Sequence, residues 1–154
     1  PLHRVTVRRP VLEDIEYLTN HLRTEDVREI EAHGSTVREG LWDSLCNSVR
    51  AFVVTYEERP VLIFGISEDN PPGIKRCAVW MVGTPEVKRI SRLFLRHSRE
   101  WVAEIAQGYD LLWNVVDCRN SLHHRWLRWC GFTFLRMLPV GPGSLPFYEF
   151  VLKP

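Results

Sequence analysis

The chain has 154 residues, 45% of them hydrophobic and 25% charged. That is the size of one compact domain burying roughly 70% of its unfolded surface, and it excludes a two-domain enzyme. Twenty Lys and Arg against nineteen Asp and Glu leave a formal charge of +1, which excludes a whole-molecule field strong enough to collect nucleic acid or an anionic membrane, so any basic surface is local.

No apolar run nears the ~18 residues that cross a bilayer, and Pro1-Leu2-His3-Arg4 lacks the apolar core of a secretory signal. The sequence therefore reads as one soluble, intracellular domain over 1–154. Pro1 is compatible with removal of an initiator methionine.

Val5 and Val7 alternate with Thr6 and Arg8 before Pro10, which predicts a short first strand. Leu12, Ile15, Leu18 and Leu22 keep helical spacing. A charged helix follows from Thr24, its expected N-cap, to Ala32 and stops at Gly34, and Ser35 is the expected cap of a third helix holding Val37, Leu41, Trp42 and Leu45. Ala51–Tyr56, the polar Glu57-Glu58-Arg59 and Val61–Ile66 read as a hairpin, Asn70-Pro71-Pro72-Gly73 as a loop and Cys77–Val82 as a strand. Thr84 and Pro85 start a long helix with Val87, Ile90, Phe94, Trp101 and Ile105 on one face, ended by Gly108. Leu111–Val116 is a strand, and Asn120 is the expected cap of a helix that closes at Gly131. Thr133–Leu138 and Phe147–Leu152 are the last strands, joined by a loop too rich in proline for a two-residue turn. Cys46, Cys77, Cys118 and Cys130 lie 31, 41 and 12 residues apart without a C-x-x-C pair, and read as four buried, unpaired thiols.

The order of elements predicts an α/β fold with a mixed sheet of about six or seven strands and helices on both faces. It resembles the GCN5-related N-acetyltransferase (GNAT) fold. That resemblance implies a turn Q/R-x-x-G-x-G/A after the fourth strand, whose N–H groups hold the pyrophosphate of acetyl-CoA. The matching stretch here is Met81-Val82-Gly83-Thr84-Pro85, with one glycine and a proline that removes a donor. The family's last-helix signature, N-x-x-A-x-x-L-Y-x-x-x-G-F, is met at Asn120, Gly131 and Phe132. His123 stands at the alanine, and Leu127 stands where a tyrosine would protonate the departing thiolate. If a CoA site persists, the resemblance places it at Val82, Gly83, Thr84 and Asn120.

A narrower resemblance covers nearly the whole chain. The pattern L-W-N-x-V-x-x-x-N-x-x-H-x-R-x-L-x-x-x-G-x-x-F, matched at Leu112, Trp113, Asn114, Val116, Asn120, His123, Arg125, Leu127, Gly131 and Phe134, resembles the internal virion protein family of short-tailed phages, whose sequences are degenerate acetyltransferases. It implies a non-catalytic role in particle assembly or DNA ejection, no cofactor, other virion proteins as partners, and residence in the virion or in the host cytoplasm during assembly. The alternative is an acetyl-CoA-dependent N-acetyltransferase with an atypical phosphate loop.

The remaining constellations have modest readings. His123 and His124, near Asp117, suit a general base or a metal ligand. With no second ligand set at the usual spacing, His123 reads as a structural residue, His124 as solvent-facing, and no metal site is assigned. Glu25, Asp26, Glu29 and Glu31 occupy the segment where acetyltransferases bind the acceptor, so one of them could deprotonate an amine. The simpler reading is a solvated helix with Arg23 and Arg28. Lys88, Arg92, Arg96 and Arg99 form a basic stripe on the long helix, whose simpler reading is a solvated face with a few surface ion pairs and whose alternative is a surface for nucleic acid or an acidic protein, extended by Arg119, Arg125 and Arg128 if the last helix lies nearby. Trp126 and Trp129, among six tryptophans, are candidates for an interface.

Overall fold

The computed structural model describes residues 4–154. Pro1 to His3, on which the readings of a processed start and an absent signal stretch fall, lie outside the described residues.

The elements in chain order are β1 (Val5–Arg8), α1 (Leu12–Thr19), α2 (Thr24–Ala32), α3 (Val37–Asn47), β2 (Arg50–Tyr56), β3 (Arg59–Glu68) and β4 (Arg76–Gly83). A 3-10 turn at Pro85–Ile90 leads into α4 (Ser91–Ile105), then β5 (Leu111–Asp117), α5 (Ser121–Trp129), β6 (Thr133–Val140) and β7 (Leu145–Leu152). The strands form one seven-stranded sheet in the order β1-β2-β3-β4-β5-β7-β6. Every neighbouring pair is antiparallel except β4 and β5. The mixed sheet expected from the sequence is therefore present.

Alternation along the strands divides the core between the two faces. Val53, Ile63 and Val82 pack with Ile15, Leu18 and Leu41 under α1 and α3, while Val54 and Leu62 pack with Ile90 and Phe94 beneath the 3-10 turn and α4. A third cluster joins Cys77, Val79, Leu112, Val116 and Phe150 to Val102 of α4 and Leu127 of α5.

Several local expectations are corrected. Arg23, not Thr24, holds the N-cap position of α2, and its side chain turns into the protein. Thr36, not Ser35, caps α3 by accepting from the Glu39 N–H. After Pro85 the chain makes a 3-10 turn before α4 begins, because Thr84 Oγ1 holds the Glu86 N–H at 3.2 Å and tightens the start. The final hairpin strands run through Pro139 and Pro146, which face each other in the β6–β7 register, so only residues 141–144 form the turn. The Glu57-Glu58 turn has positive φ at both residues (49° and 66°) without a glycine or asparagine. Of the four cysteines, all free, only Cys77 is buried and Cys46 is exposed. Among the described residues, no helix is long and apolar enough to cross a membrane.

Candidate active site

The parallel strands β4 and β5 pair only at Arg76↔Leu111, Cys77↔Leu112 and Ala78↔Trp113. At the next position Asn114 turns its side chain into the ladder. Its Nδ2 donates to the Val79 carbonyl at 2.7 Å and its Oδ1 accepts from the Val115 N–H at 2.8 Å. A side chain thus replaces the strand-to-strand bonds, and β4 and β5 run on to Gly83 and Asp117 without further pairing. Between them lies a cavity of about 350 Å³ that passes through the sheet. On the α2–α3 side it is lined by Glu29, His33, Ser35, Asp43 and Ser44, and on the other by α4, α5 and Phe150.

Two carboxylates three residues apart on α2 hold the open ends of these strands. Asp26 Oδ2 accepts from the Gly83 N–H at the end of β4, and Glu29 Oε1 accepts from the Asp117 N–H at the end of β5, both at 2.9 Å. Asn120, with no exposed surface, bridges them: its Nδ2 donates to Asp26 Oδ1 at 3.1 Å and to Glu29 Oε1 at 3.0 Å. Arg23 completes the cluster, donating to both Asp26 oxygens and to Asn120 Oδ1 at 3.3 Å, and lying as close to Glu25. His123 Nε2 stands 3.5 Å from Asp26 Oδ1.

These contacts overturn the solvated-helix reading of Asp26 and Glu29, since Asp26 is wholly buried and Glu29 lines the cavity. His124 is corrected as well. It is buried rather than solvent-facing, and its Nε2 meets the Asp117 carbonyl at 2.8 Å.

The electrostatics of the cluster are uneven. Burial first, and then the negative charge of Asp26, push the Glu29 carboxyl up to about 8, against the opposing bonds from Asp117 N–H and Asn120. Burial pulls His123 below its ordinary range and outweighs the pull of Asp26, so His123 is neutral near pH 7. One ligand atom from each of Asp26, Glu29 and His123 lies within 4.8 Å of the others, the spread of a metal site. The Arg23 guanidinium, however, already supplies the positive charge and shares both Asp26 oxygens. The cluster is an acid–base network with its own internal cation.

A second cavity, also about 350 Å³, lies between the 3-10 turn, the start of α4 and α5, with Gly83, Lys88, Leu95, Leu122, Arg125 and Trp129 in its wall. Met81, Phe94, His123 and Trp126 line both cavities and form the wall they share. The structure therefore brings Lys88, Arg125, Trp126 and Trp129 together around one slot and leaves Arg92 and Arg96 exposed outside it. Arg99 is committed elsewhere: its guanidinium lies 3.9 Å over the Trp129 ring and its Nε donates to the Trp129 carbonyl at 2.7 Å.

The candidates carried over from the acetyltransferase resemblance are differently placed. Gly83 N–H is taken by Asp26 and Thr84 N–H by the Val61 carbonyl at 2.7 Å. The Glu86 and Val87 N–H groups are taken by Thr84 Oγ1 and the Thr84 carbonyl. With Pro85 lacking a donor, residues 83–87 offer no open amide cradle. Val82 packs in the core, Asn120 serves the buried network, and Leu127, 3% exposed, puts no hydroxyl in the cavity wall. Positive charge at the slot comes from the side chains of Lys88 and Arg125. Sequence reasoning raised Asp26 and Glu29 among the acceptor-segment carboxylates but preferred a solvated helix, and it took Arg23 only as their surface partner. The available signal was two acidic residues one turn apart on α2, ahead of an asparagine at the start of α5.

No protein-family model matches the chain, and no curated protein does. Solved structures match it along nearly its full length. The spermidine N-acetyltransferase of Vibrio cholerae, in complex with CoA and spermine, superimposes with a TM-score of 0.66 at 14% identity over 98% of this chain and 96% of that one. The aminoglycoside N(6')acetyltransferase of Legionella pneumophila gives 0.69 at 12% identity, over 97% and 92%. The microcin C7 self-immunity acetyltransferase MccE, in complex with acetyl-CoA and AMP, gives 0.68 at 12% identity, over 98% and 93%. These matches overturn the expectation of a non-catalytic virion protein. The architecture found here is that of proteins captured with CoA or acetyl-CoA, and in this chain β4 and β5 part around a cavity that a carboxyl lines. The chain has the fold of the GNAT acetyltransferases.

Proposed function

We propose that the chain is an acetyl-CoA-dependent N-acetyltransferase that binds its donor through side-chain cations instead of a glycine-rich amide cradle. The observation that carries this reading is the position of Glu29. A carboxyl raised to about 8 lines the cavity between parted strands, where a general base is poised to act near neutral pH.

Acetyl-CoA supplies an activated acyl group on a thiolate leaving group. Lys88 and Arg125, at the slot, meet its phosphates as charges, and the apolar walls at Leu95, Leu122 and Trp129 take its uncharged arm. The acceptor half of the sheet-crossing cavity carries Glu29 and Asp43, which favours a cationic amine. Amine substrates of this kind stand in the names of two matched proteins. Glu29 in its ionised form takes the proton from the ammonium. His123, neutral and shared by both cavities, packs where donor and acceptor meet. Leu127 gives no proton to the departing sulfur, and the absence of a positioned acid lowers turnover by ~10²–10⁴-fold against an enzyme that has one.

The test is thermal melting with CoA and acetyl-CoA, followed by thiol release with a panel of primary amines. Ligand at about 100 times its dissociation constant adds about 2.7 kcal/mol of stability. Amine-dependent thiol release that is lost in Glu29→Gln supports the reading. No stabilisation by either ligand overturns it.

A further inference from the structure

Among the described residues, two buried side-chain donors have no hydrogen-bond partner, the indole nitrogens of Trp113 and Trp126. An indole N–H only donates, so each asks for an acceptor that the fold does not supply. Their surroundings differ. Trp113 lies on β5 beneath Arg76, whose guanidinium sits 4.9 Å from the ring centroid, and it lines neither cavity. Trp126 stands on α5 in the wall shared by the two cavities, its ring stacked on Phe94 at 5.6 Å and 21°. Of the other side chains in that wall, Met81 and Phe94 have no N–H or O–H to give, and His123 brings its Nε2 to 3.5 Å from Asp26. Trp126 therefore carries an unused hydrogen bond where the donor slot adjoins the cavity that holds Glu29.

We propose that Trp126 Nε1–H donates to the carbonyl oxygen of the bound thioester and stabilises the oxyanion that forms there. The inference rests on the acyltransferase reading and assigns that reaction a further catalytic residue. In acyl transfer negative charge develops on this oxygen, and a donor held in a water-poor site acts on it far more strongly than one in water. The amine nitrogen bonds to the carbonyl carbon while the C=O π pair moves onto oxygen, which accepts the indole hydrogen bond without taking its proton. The pair then returns, the C–S bond breaks, Glu29 receives the amine proton and CoA leaves as the thiolate. Position selects the thioester as the acceptor. With the arm of CoA along the slot and the amine beside Glu29, the reacting carbon lies between them, at the shared wall. The amides of residues 83–87 are occupied or, at Pro85, missing, so that loop gives this oxygen no N–H. The indole has a cavity on either side, which gives the ring room to turn its buried nitrogen toward an entering thioester, a side-chain adjustment common on binding.

The experiment compares the full chain with Trp126→Phe and Trp113→Phe. Phenylalanine keeps an aromatic ring against Phe94 and lacks the N–H. Trp126→Phe is expected to lower kcat for acetyl transfer to a primary amine by ~10²-fold. The KM for acetyl-CoA and the affinity for CoA are expected to stay within about threefold of the parent, which also shows that the variant is folded. Trp113→Phe, which removes the other unpartnered N–H outside the cavities, is expected to keep the parent kcat. A second readout follows the Trp126 indole N–H by nitrogen–proton correlation NMR, assigned by its disappearance in Trp126→Phe. Acetyl-CoA is expected to move that resonance downfield, whereas S-ethyl-CoA, a thioether with the same two carbons and no carbonyl oxygen, leaves it where CoA does. A Trp126→Phe kcat within about threefold of the parent, or equal shifts with the two ligands, overturns the assignment and leaves the acyltransferase reading standing. If no CoA species binds the parent chain, both fall.

Discussion

Glu29 carries two opposed demands in one carboxyl. Its burial beside Asp26 raises it from 4.5 to about 8, so the folded chain keeps a proton that the unfolded chain has lost. The stabilisation this gives is full below pH 4.5 and is lost as pH rises through about 8, by up to about 1.4 kcal/mol per pH unit. Ionisation, which weakens the fold, creates the base, so acyl transfer should rise through the same range. In Glu29→Gln, urea denaturation followed from pH 5 to 9 should show a flatter stability profile, with the variant gaining on the parent as pH rises. A parallel profile would remove the buried carboxyl as the titrating group. Asp26 is constrained differently, as the acceptor for Arg23, Asn120 and Gly83. Asp26→Ala leaves the buried Arg23 guanidinium with only the more exposed Glu25 and the Asn120 oxygen, and removal of one partner from a buried pair costs about 3–5 kcal/mol. Denaturant midpoints measure this directly, and a loss under about 1 kcal/mol would contradict the described network.

At the scale of elements, α2 spans the opening between two strands that no longer pair. One turn of helix separates Asp26 from Glu29, which lets a single element hold the Gly83 and Asp117 amides at once. On the opposite face α4 and α5 are clasped by Trp129, whose Nε1 donates to the Leu95 carbonyl at 2.8 Å while Arg99 covers its ring. The basic residues of α4 are therefore not equivalent. Arg99→Ala should cost about 0.5–1 kcal/mol through loss of the cation–π contact, whereas Arg92→Ala and Arg96→Ala, with no ion pair among the described residues, should leave urea midpoints unchanged. Equal losses at all three would mean that the stripe acts as one charged surface, not as one clasp beside two solvated arginines.

Across the whole molecule, β1 to β4 and β5, β7 and β6 are two antiparallel half-sheets joined by three residue pairs. Burial, more than strand pairing, holds the halves together through the cluster in which Cys77 and Val79 meet Leu112 and Val116. Hydrogen exchange should accordingly be slowest in the long β2–β3 and β5–β7 ladders. The β4 amides from Val79 onward that face the gap should exchange faster and slow markedly when CoA is bound. Uniform protection along β4 in the free chain would show that the strands do not part in solution.

The sequence by itself determined the order of elements, the mixed sheet and the phase of the apolar faces. These follow from periodicity, from Pro85 at a helix start and from glycines such as Gly34, Gly108 and Gly131, whose positive φ ends a helix. It also showed the absence of a tyrosine at Leu127 and of further glycines around Gly83, although those losses, read together with the narrower resemblance, led to a scaffold without chemistry. Tertiary structure decided the site. Asp26 and Glu29 look like ordinary solvated carboxylates along α2, and their distance in sequence from Asn120 hides the contact. The depth at which that contact is buried raises one carboxyl toward neutrality. Local capping residues, Thr36 over Ser35 and Arg23 over Thr24, were likewise settled by which side chain the rest of the molecule leaves free to turn back on the helix. The parting of β4 from β5 has no periodic signal, because it arises where Asn114 satisfies the ladder with its own side chain and α2 supplies the carboxylates that hold the gap open.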